Sequence, residues 1–189
     1  RLFEVQGDLA EAVCSQANNL RREVNGQALT FVQNRNINYT NVCLHKCTFC
    51  AFAKGQGGKA RDLRGPAYRL DFDEIVIRAV EARARGATEV CLQGGIHPEF
   101  DGQTYKRIVE RVHQAEPSLH IHAFSPLEVV QGAKTLAMPV AEYLSELKEL
   151  GLATLPGTAA EILSDDIRRK ICPDKLSTAA WTNVITEAH

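Results

Sequence analysis

Asn34-Arg-Asn-Ile-Asn-Tyr-Thr-Asn-Val-Cys43-Leu-His-Lys-Cys47-Thr-Phe-Cys50 decides how the rest of this 189-residue chain is read. Residues 34–42 set asparagines against Ile37, Tyr39 and Val42 and are rich in strand formers, which predicts a strand. That strand runs straight into three thiols, so the cysteines fall just past its carboxyl end.

Outward from this stretch the chain alternates. Residues 71–85 open with Asp71 and Glu74 at capping-box spacing, carry Ile75, Val76, Ala79 and Val80 on one face, and meet Gly86, which predicts a helix. Residues 87–93 read as a buried strand, 102–115 as a helix, 119–124 as a strand, 139–150 as a helix stopped by Gly151, and 152–156 as a fourth short strand. Residues 164–171 and 178–189 have helical patterns, the second with Trp181, Val184, Ile185 and Ala188 on one face. Upstream, Leu9, Val13, Ala17, Leu20 and Val24 predict an amphipathic helix over 8–25, with Asp8 to cap its start and Gly26 its end. The stretch Lys54–Arg64 is glycine-rich and basic, without apolar periodicity, and reads as a mobile, solvated loop or a lid over a site.

Repeated strand–helix alternation implies an α/β fold of right-handed crossovers on a parallel sheet, either doubly wound or curved into a whole or partial barrel. In both forms the chemistry gathers at strand carboxyl ends. The cysteines follow the first strand, Gln93-Gly94-Gly95 the second, Ser125 the third and Gly157-Thr158 the fourth, so four strand ends point to one site. The organisation expected is a helical extension over 1–33 and a core over 34–189.

Composition bounds the function. The 22 Lys and Arg against 23 Asp and Glu leave a formal charge of −1, which gives no electrostatic footprint for nucleic acid. No apolar run approaches the roughly 20 residues of a membrane helix, and the amino end lacks the apolar stretch of a secretory signal. The expectation is an intracellular protein in a reducing compartment, with small-molecule partners rather than nucleic acid or membrane. Gly55-Gln-Gly-Gly-Lys59 lacks the spacing of a phosphate loop, so ATP use is not supported.

Cys14, Cys91 and Cys172 stand alone and read as packing residues, whereas Cys43, Cys47 and Cys50 have the spacing C-x3-C-x2-C. One tight loop of that kind aims three thiolates at a common centre. Three is one short of a closed site: in a four-iron four-sulfur (4Fe-4S) cluster the fourth iron would stay open to a small molecule. The other reading is structural zinc with His45 or a distant histidine as fourth ligand, although closed zinc sites usually come as paired knuckles and no second one is present.

The cysteine spacing, with Phe49 immediately before the last thiol, resembles the signature of the radical S-adenosylmethionine (SAM) enzymes. The resemblance implies a partial (β/α)6 TIM-like barrel, a 4Fe-4S cluster held by Cys43, Cys47 and Cys50, and SAM chelated at the open iron and cleaved to an adenosyl radical. Within that superfamily NRNINYTNVC, CTFCAFAKG, LQGGIHPEF, HIHAFSPLEV, LPGTAAEIL and ICPDKLSTAAW resemble the tyrosine-dependent half of the FO synthase family. The menaquinone-pathway aminofutalosine synthase and dehypoxanthine futalosine cyclase are the nearest rivals. The FO synthase resemblance implies a transferase in deazaflavin biosynthesis that breaks the Cα–Cβ bond of L-tyrosine and joins the hydroxybenzyl group to 5-amino-6-(D-ribitylamino)uracil. Its expected partners are an electron donor and a second radical SAM module, fused or separate, that closes the ring.

Under this resemblance Phe49 packs against adenine, and Gly94-Gly95 lets backbone approach the SAM amino group without an intervening Cβ, where an ordinary turn is the competing reading. His97, fixed by Pro98, is the candidate catalytic or substrate-contact residue. His120 and His122 share one strand face, and His122 with Ser125 are candidate contacts to tyrosine or the ribityl chain, against a purely structural role. Glu161 is a candidate for the SAM ribose or ammonium, or simply a carboxylate at a helix amino end, and Thr158 carries the same ambiguity. Four strands are counted where the resemblance implies six, and the chain starts without Met, so it reads as a piece truncated after about four βα units.

Overall fold

The computed structural model describes residues 2–54 and 65–189, so the basic stretch after Lys54 lies outside the described residues. The chain divides into Arg1–Phe31 and Val32–His189. The first unit is built on α1 (Asp8–Asn25), an amphipathic helix with no buried residue, whose Leu9, Leu20 and Val24 are exposed. Gly7, at φ +56°, takes the cap position expected of Asp8, and Asp8 becomes the first helical residue.

In the second unit β1 (Asn34–Asn38), α2 (Phe72–Ala84), β2 (Glu89–Gln93), α3 (Gly102–Ala115), β3 (His120–Ala123), α4 (Pro126–Thr135), α5 (Val140–Glu149), β4 (Leu152–Thr154), α6 (Asp165–Ile171) and α7 (Thr178–Ala188) follow one another. Among the described residues the strands form one parallel sheet in the order β1-β2-β3-β4. This is the α/β topology that the alternation implies. Asp71 and Asp101 start α2 and α3 by accepting hydrogen bonds from the backbone N–H groups of Glu74 and Thr104, each at 2.8 Å.

β1 is shorter than the stretch that predicts it. After Asn38 the backbone leaves the ladder, and Thr40 and Val42 make isolated bridges to Arg69 and Lys54. α4 is the element the periodicity misses. It is only ten residues long and has Gly132 in its interior, where a Cβ would meet the Tyr143 hydroxyl oxygen at 2.4 Å. Its start was nonetheless written in Ser125-Pro-Leu-Glu128, a capping box with proline in the first turn.

The two faces of the sheet differ. Ile37, Val90, Leu92, Ile121, Ala123 and Leu152 are buried in one core with α2–α5 and α7. The opposite face carries Asn34, Asn36 and Asn38 of β1, Glu89, Cys91 and Gln93 of β2, His120 and His122 of β3, and Thr154 of β4, all exposed or half-buried. Residues 87–93, expected as a wholly buried strand, therefore alternate instead. Parallel sheets are ordinarily apolar on both faces, so a polar face marks the inside of a curved sheet that lines a cavity.

Buried hydroxyls in the core give a stability test. The Tyr143 hydroxyl donates to the Gly102 carbonyl at 3.0 Å, whereas the Tyr105 hydroxyl has no partner in a residue only 1% exposed. Leaving a buried hydroxyl unsatisfied costs about 1–3 kcal/mol. Tyr105→Phe should raise the melting temperature and Tyr143→Phe should lower it, each by about 1 kcal/mol of stability in a urea titration. Equal losses in both variants would show that the two hydroxyls are equally satisfied.

Candidate active site

The strand ends converge. A cavity of about 210 Å³ is lined by Cys43, Cys47 and Cys50 from the segment after β1, Gln93 to Ile96 from the end of β2, Ser125 and Glu128 after β3, Thr158, Ala159 and Glu161 after β4, and Lys175 from the α6–α7 connection. A larger hollow of about 390 Å³ beside α5, β4 and the end of α7 contains none of the thiols or strand-end glycines.

The cysteine loop is held from two sides. Toward β2, the Leu44 N–H donates to the Ile96 carbonyl at 2.9 Å and the Gly95 N–H to the Thr40 carbonyl at 2.9 Å. Toward the α6–α7 connection, the Thr48 N–H donates to the Ile171 carbonyl at 2.9 Å and the Lys46 N–H to Asp174 Oδ2 at 3.0 Å. His45 faces Asp174 at 3.5 Å without hydrogen-bond geometry. Two thiols already accept backbone donors: Cys43 Sγ from the Ile96 N–H at 3.3 Å and Cys50 Sγ from the Ala53 N–H at 3.4 Å. Burial pushes the Cys43 thiol up and the Cys47 thiol up to about 11, so metal loading must release their protons.

Packing alone requires glycine at both Gly94 and Gly95. A Cβ on Gly94 would lie 2.3 Å from the Tyr39 ring, and one on Gly95 would lie 2.3 Å from the Val42 carbonyl oxygen and 2.8 Å from Cys43 Cβ. Both glycines line the cavity, but the side of each that a methyl would fill is taken by β1 and its continuation. They seat the cysteine loop against β2.

After β4 the backbone is strained, with Ala159 and Glu161 at φ +62° and +42°, and Phe124, just before Ser125, at +65°. The loop is fixed by Arg168, a buried side chain that donates to the carbonyls of Ala159, Ala160, Ile162 and Leu176. Glu161 accepts from Lys175 Nζ at 2.6 Å and stands 3.7 Å from Arg168. Burial alone would lower the Lys175 ammonium, but the hydrogen bond to Glu161 and the nearby thiols leave it raised overall.

Three expected site residues are not brought to the cavity wall. His97 stacks on Phe100 at 4.8 Å between ring centroids, its Nδ1 accepts from the Glu99 N–H, and burial holds it below its usual pKa. His122 lies on the polar sheet face, where its Nδ1 is 2.6 Å from the Thr154 hydroxyl that also meets His120 Nε2 at 2.7 Å. Phe49 is 49% exposed and lies under the Lys175 ammonium. Conversely, Glu128, Asp174 and Lys175 were missed. Ser125-Pro-Leu-Glu128 signalled the first, while nothing local marks the other two.

A family model described as the radical SAM superfamily matches residues 37–189. The chain belongs to the radical SAM superfamily. It is 50% identical over 92% of its length to the 5-amino-6-(D-ribitylamino)uracil–L-tyrosine 4-hydroxyphenyl transferase of Methanocaldococcus jannaschii, covering 47% of that protein. It is 46% identical over its whole length to the FO synthase of Mycobacterium tuberculosis, covering 21% of it. The chain thus spans about half of the first relative and about a fifth of the second. Among solved structures, the FeFe-hydrogenase maturase HydG from Carboxydothermus hydrogenoformans superposes with a TM-score of 0.72 at 18% identity, over 99% of this chain and 40% of its own. Methylornithine synthase PylB gives 0.68 at 21% identity, over 99% of this chain and 50% of its own. These two share the fold.

Radical SAM proteins use a 4Fe-4S cluster and SAM. The donor set here fits that cluster: three free thiols face one cavity, with backbone donors already directed at two of them. Among the described residues no three His, Cys, Asp or Glu are gathered as round a single ion. Three thiols suit a cube that takes one thiolate on each of three irons, whereas a closed tetrahedral zinc needs a fourth ligand.

Proposed function

We propose that this chain forms the cluster-bearing part of a tyrosine 4-hydroxyphenyl transferase of deazaflavin biosynthesis, cleaving L-tyrosine between Cα and Cβ, joining the 4-hydroxybenzyl group to 5-amino-6-(D-ribitylamino)uracil and releasing the two-carbon remainder as an imine of glyoxylate. The supporting observation is the single cavity in which Cys43, Cys47 and Cys50 meet the ends of β2, β3 and β4, in a chain 50% identical to a protein named for that transfer.

When bound, the cluster and SAM supply a carbon-centred radical that takes a hydrogen atom from the substrate. The chain's own residues do the rest. Cys43, Cys47 and Cys50 would hold three of the cluster's irons, and Gly94, Gly95, Thr158 and Glu161 line the same cavity and would contact SAM. Ser125 closes the β3 side. The polar interior face, with Gln93 at its cavity end and His122, Thr154 and His120 farther along, offers donors and acceptors suited to a substrate carrying hydroxyl, amino and carbonyl groups. The partners in this reading are an electron donor and a second radical SAM module for ring closure; the FO synthase, nearly five times the length matched here, has room for one in the same chain. A reducing compartment suits the free thiols. Among the described residues no helix is long and apolar enough to cross a membrane.

The test is anaerobic cluster reconstitution of the full-length protein, followed by incubation with SAM, a reductant, tyrosine and the ribitylaminouracil. The expected result is product formation that requires both substrates and is accompanied by release of 5′-deoxyadenosine. Turnover of a futalosine-pathway substrate instead, or a zinc protein that takes up no cluster, would overturn the assignment.

A further inference from the structure

Lys175 is a largely buried cation on the wall of the thiol cavity, and the proposed function leaves it without a task. Pro173 keeps α6 from continuing, and the Lys175 N–H turns back to the Cys172 carbonyl at 3.1 Å. This turn is fastened to the cysteine loop on both sides of Cys47. The Thr48 N–H donates to the Ile171 carbonyl at 2.9 Å, and the Lys46 N–H donates to Asp174 Oδ2 at 3.0 Å. The lysine side chain that follows is 12% exposed and lines the cavity together with Cys43, Cys47 and Cys50. Its ammonium lies 5.5 Å from the centre of the ring of Phe49, the residue before Cys50.

The charge survives its burial. Burial acts to lower the Lys175 pKa, but the hydrogen bond to Glu161 at 2.6 Å and the Cys47 thiol leave it raised overall. Its carboxylate partner is shared, because Glu161 also stands 3.7 Å from Arg168, so two cations meet one anion. Among the described residues Lys175 is the only Lys or Arg on the cavity wall. Glu128, the other carboxylate there, brings no comparable charge. It is 2% exposed and accepts from the Gly94 N–H at 3.0 Å, from the Tyr39 hydroxyl and from Ser125, yet burial still pushes its pKa up. Burial pushes the Cys47 thiol up as well, and the strongest influence against it is the Lys175 ammonium, which outweighs Asp174 and acts on Cys43 too.

One-electron reduction of a 4Fe-4S cluster adds a negative charge in the space bounded by its thiolates. A fixed cation beside that space stabilises the reduced form more than the oxidised one, and the effect is largest where water is scarce. We propose that the Lys175 ammonium raises the reduction potential of the cluster held by Cys43, Cys47 and Cys50, easing entry of the single electron that an external donor supplies. No bond is made or broken in this step. The inference rests on the family's cluster and is independent of which substrate is transformed.

The experiment is a redox titration of the anaerobically reconstituted full-length protein without SAM, followed by electron paramagnetic resonance of the reduced cluster, with iron and sulfide measured per chain. Lys175→Met should load the cluster and shift its reduction equilibrium about tenfold toward the oxidised form, a fall of about 59 mV for one electron. Lys175→Arg, which keeps the charge, should stay within about twofold of the wild type. Glu161→Gln removes the anion that offsets the ammonium and should raise the potential, which keeps the question decidable should Lys175→Met take up no cluster. An unchanged potential in fully loaded Lys175→Met would overturn the proposal. So would an equal fall in Lys175→Arg, which would trace the effect to lost packing, or a Glu161→Gln protein without the rise. A wild type that binds zinc and no cluster would overturn the cluster reading and this inference together.

Discussion

Cys47→Ser in the full-length protein is expected to give a colourless product after reconstitution, with loss of the 4Fe-4S absorbance and no detectable SAM cleavage. Cys43→Ser and Cys50→Ser should do the same. The reason is that three thiols from one loop share one cavity, and among the described residues no other cysteine lines it. With one removed, an iron loses its only protein ligand and the cluster is left on two. Cys14→Ser supplies the contrast: this thiol is exposed on α1, and the variant should load iron as the wild type does. Cys172 is buried at the end of α6, so Cys172→Ala should cost about 1 kcal/mol of stability while leaving iron content intact. Iron and sulfide per chain, read with the ultraviolet–visible spectrum, check all five variants. Full cluster occupancy in Cys47→Ser would remove that thiol from the ligand set.

Gly95→Ala should have the next largest effect, through geometry and not chemistry. The added methyl would lie 2.3 Å from the Val42 carbonyl oxygen and 2.8 Å from Cys43 Cβ. The first of these is main chain and cannot swing aside, so the cysteine loop must move away from β2. That movement breaks the Gly95 N–H to Thr40 bond and the Leu44 N–H to Ile96 bond that hold the loop. Overpacking of this kind costs about 1–3 kcal/mol, and the displaced Cys43 should lower cluster occupancy more than stability. Gly94→Ala meets the Tyr39 ring instead and should disturb the Glu128 network before the cluster. Gly157→Ala, with nothing within 4 Å of the new methyl, should be silent. Thermal melts read beside iron content separate the two effects, and a Gly95→Ala protein with full iron would show that the loop has another way to seat.

The cluster thiols and the strand-end glycines were legible because their information is local. C-x3-C-x2-C fits within one loop, and the strands before it and before Gly94 announce themselves by composition. α2 was legible through its cap and α3 through its apolar periodicity. The site's second layer was not, and the reason is distance along the chain. Lys46 reaches Asp174 across 128 residues and Gly94 reaches Glu128 across 34, contacts to which no periodicity refers. His97, His122 and Phe49 lie off this cavity wall for a reason no local pattern states: the backbone turns the rings onto Phe100, toward Thr154 and beneath Lys175. Glu128 could have been found, since the capping box that marks it also starts the helix that periodicity missed.

The two-faced sheet also governs how its strands find one another. In the native register Val90 stands beside Ile121 and Cys91 beside His122, which keeps both imidazoles of β3 on the open side. Sliding β3 by one residue would turn every side chain over, pressing His120 and His122 into the helices and lifting Ile121 and Ala123 out of the core. Each imidazole stranded without a partner would cost about 1–3 kcal/mol, added to the lost apolar burial. A sheet apolar on both sides would feel little of this. Here the polarity that equips the barrel interior for chemistry also proofreads strand alignment during folding.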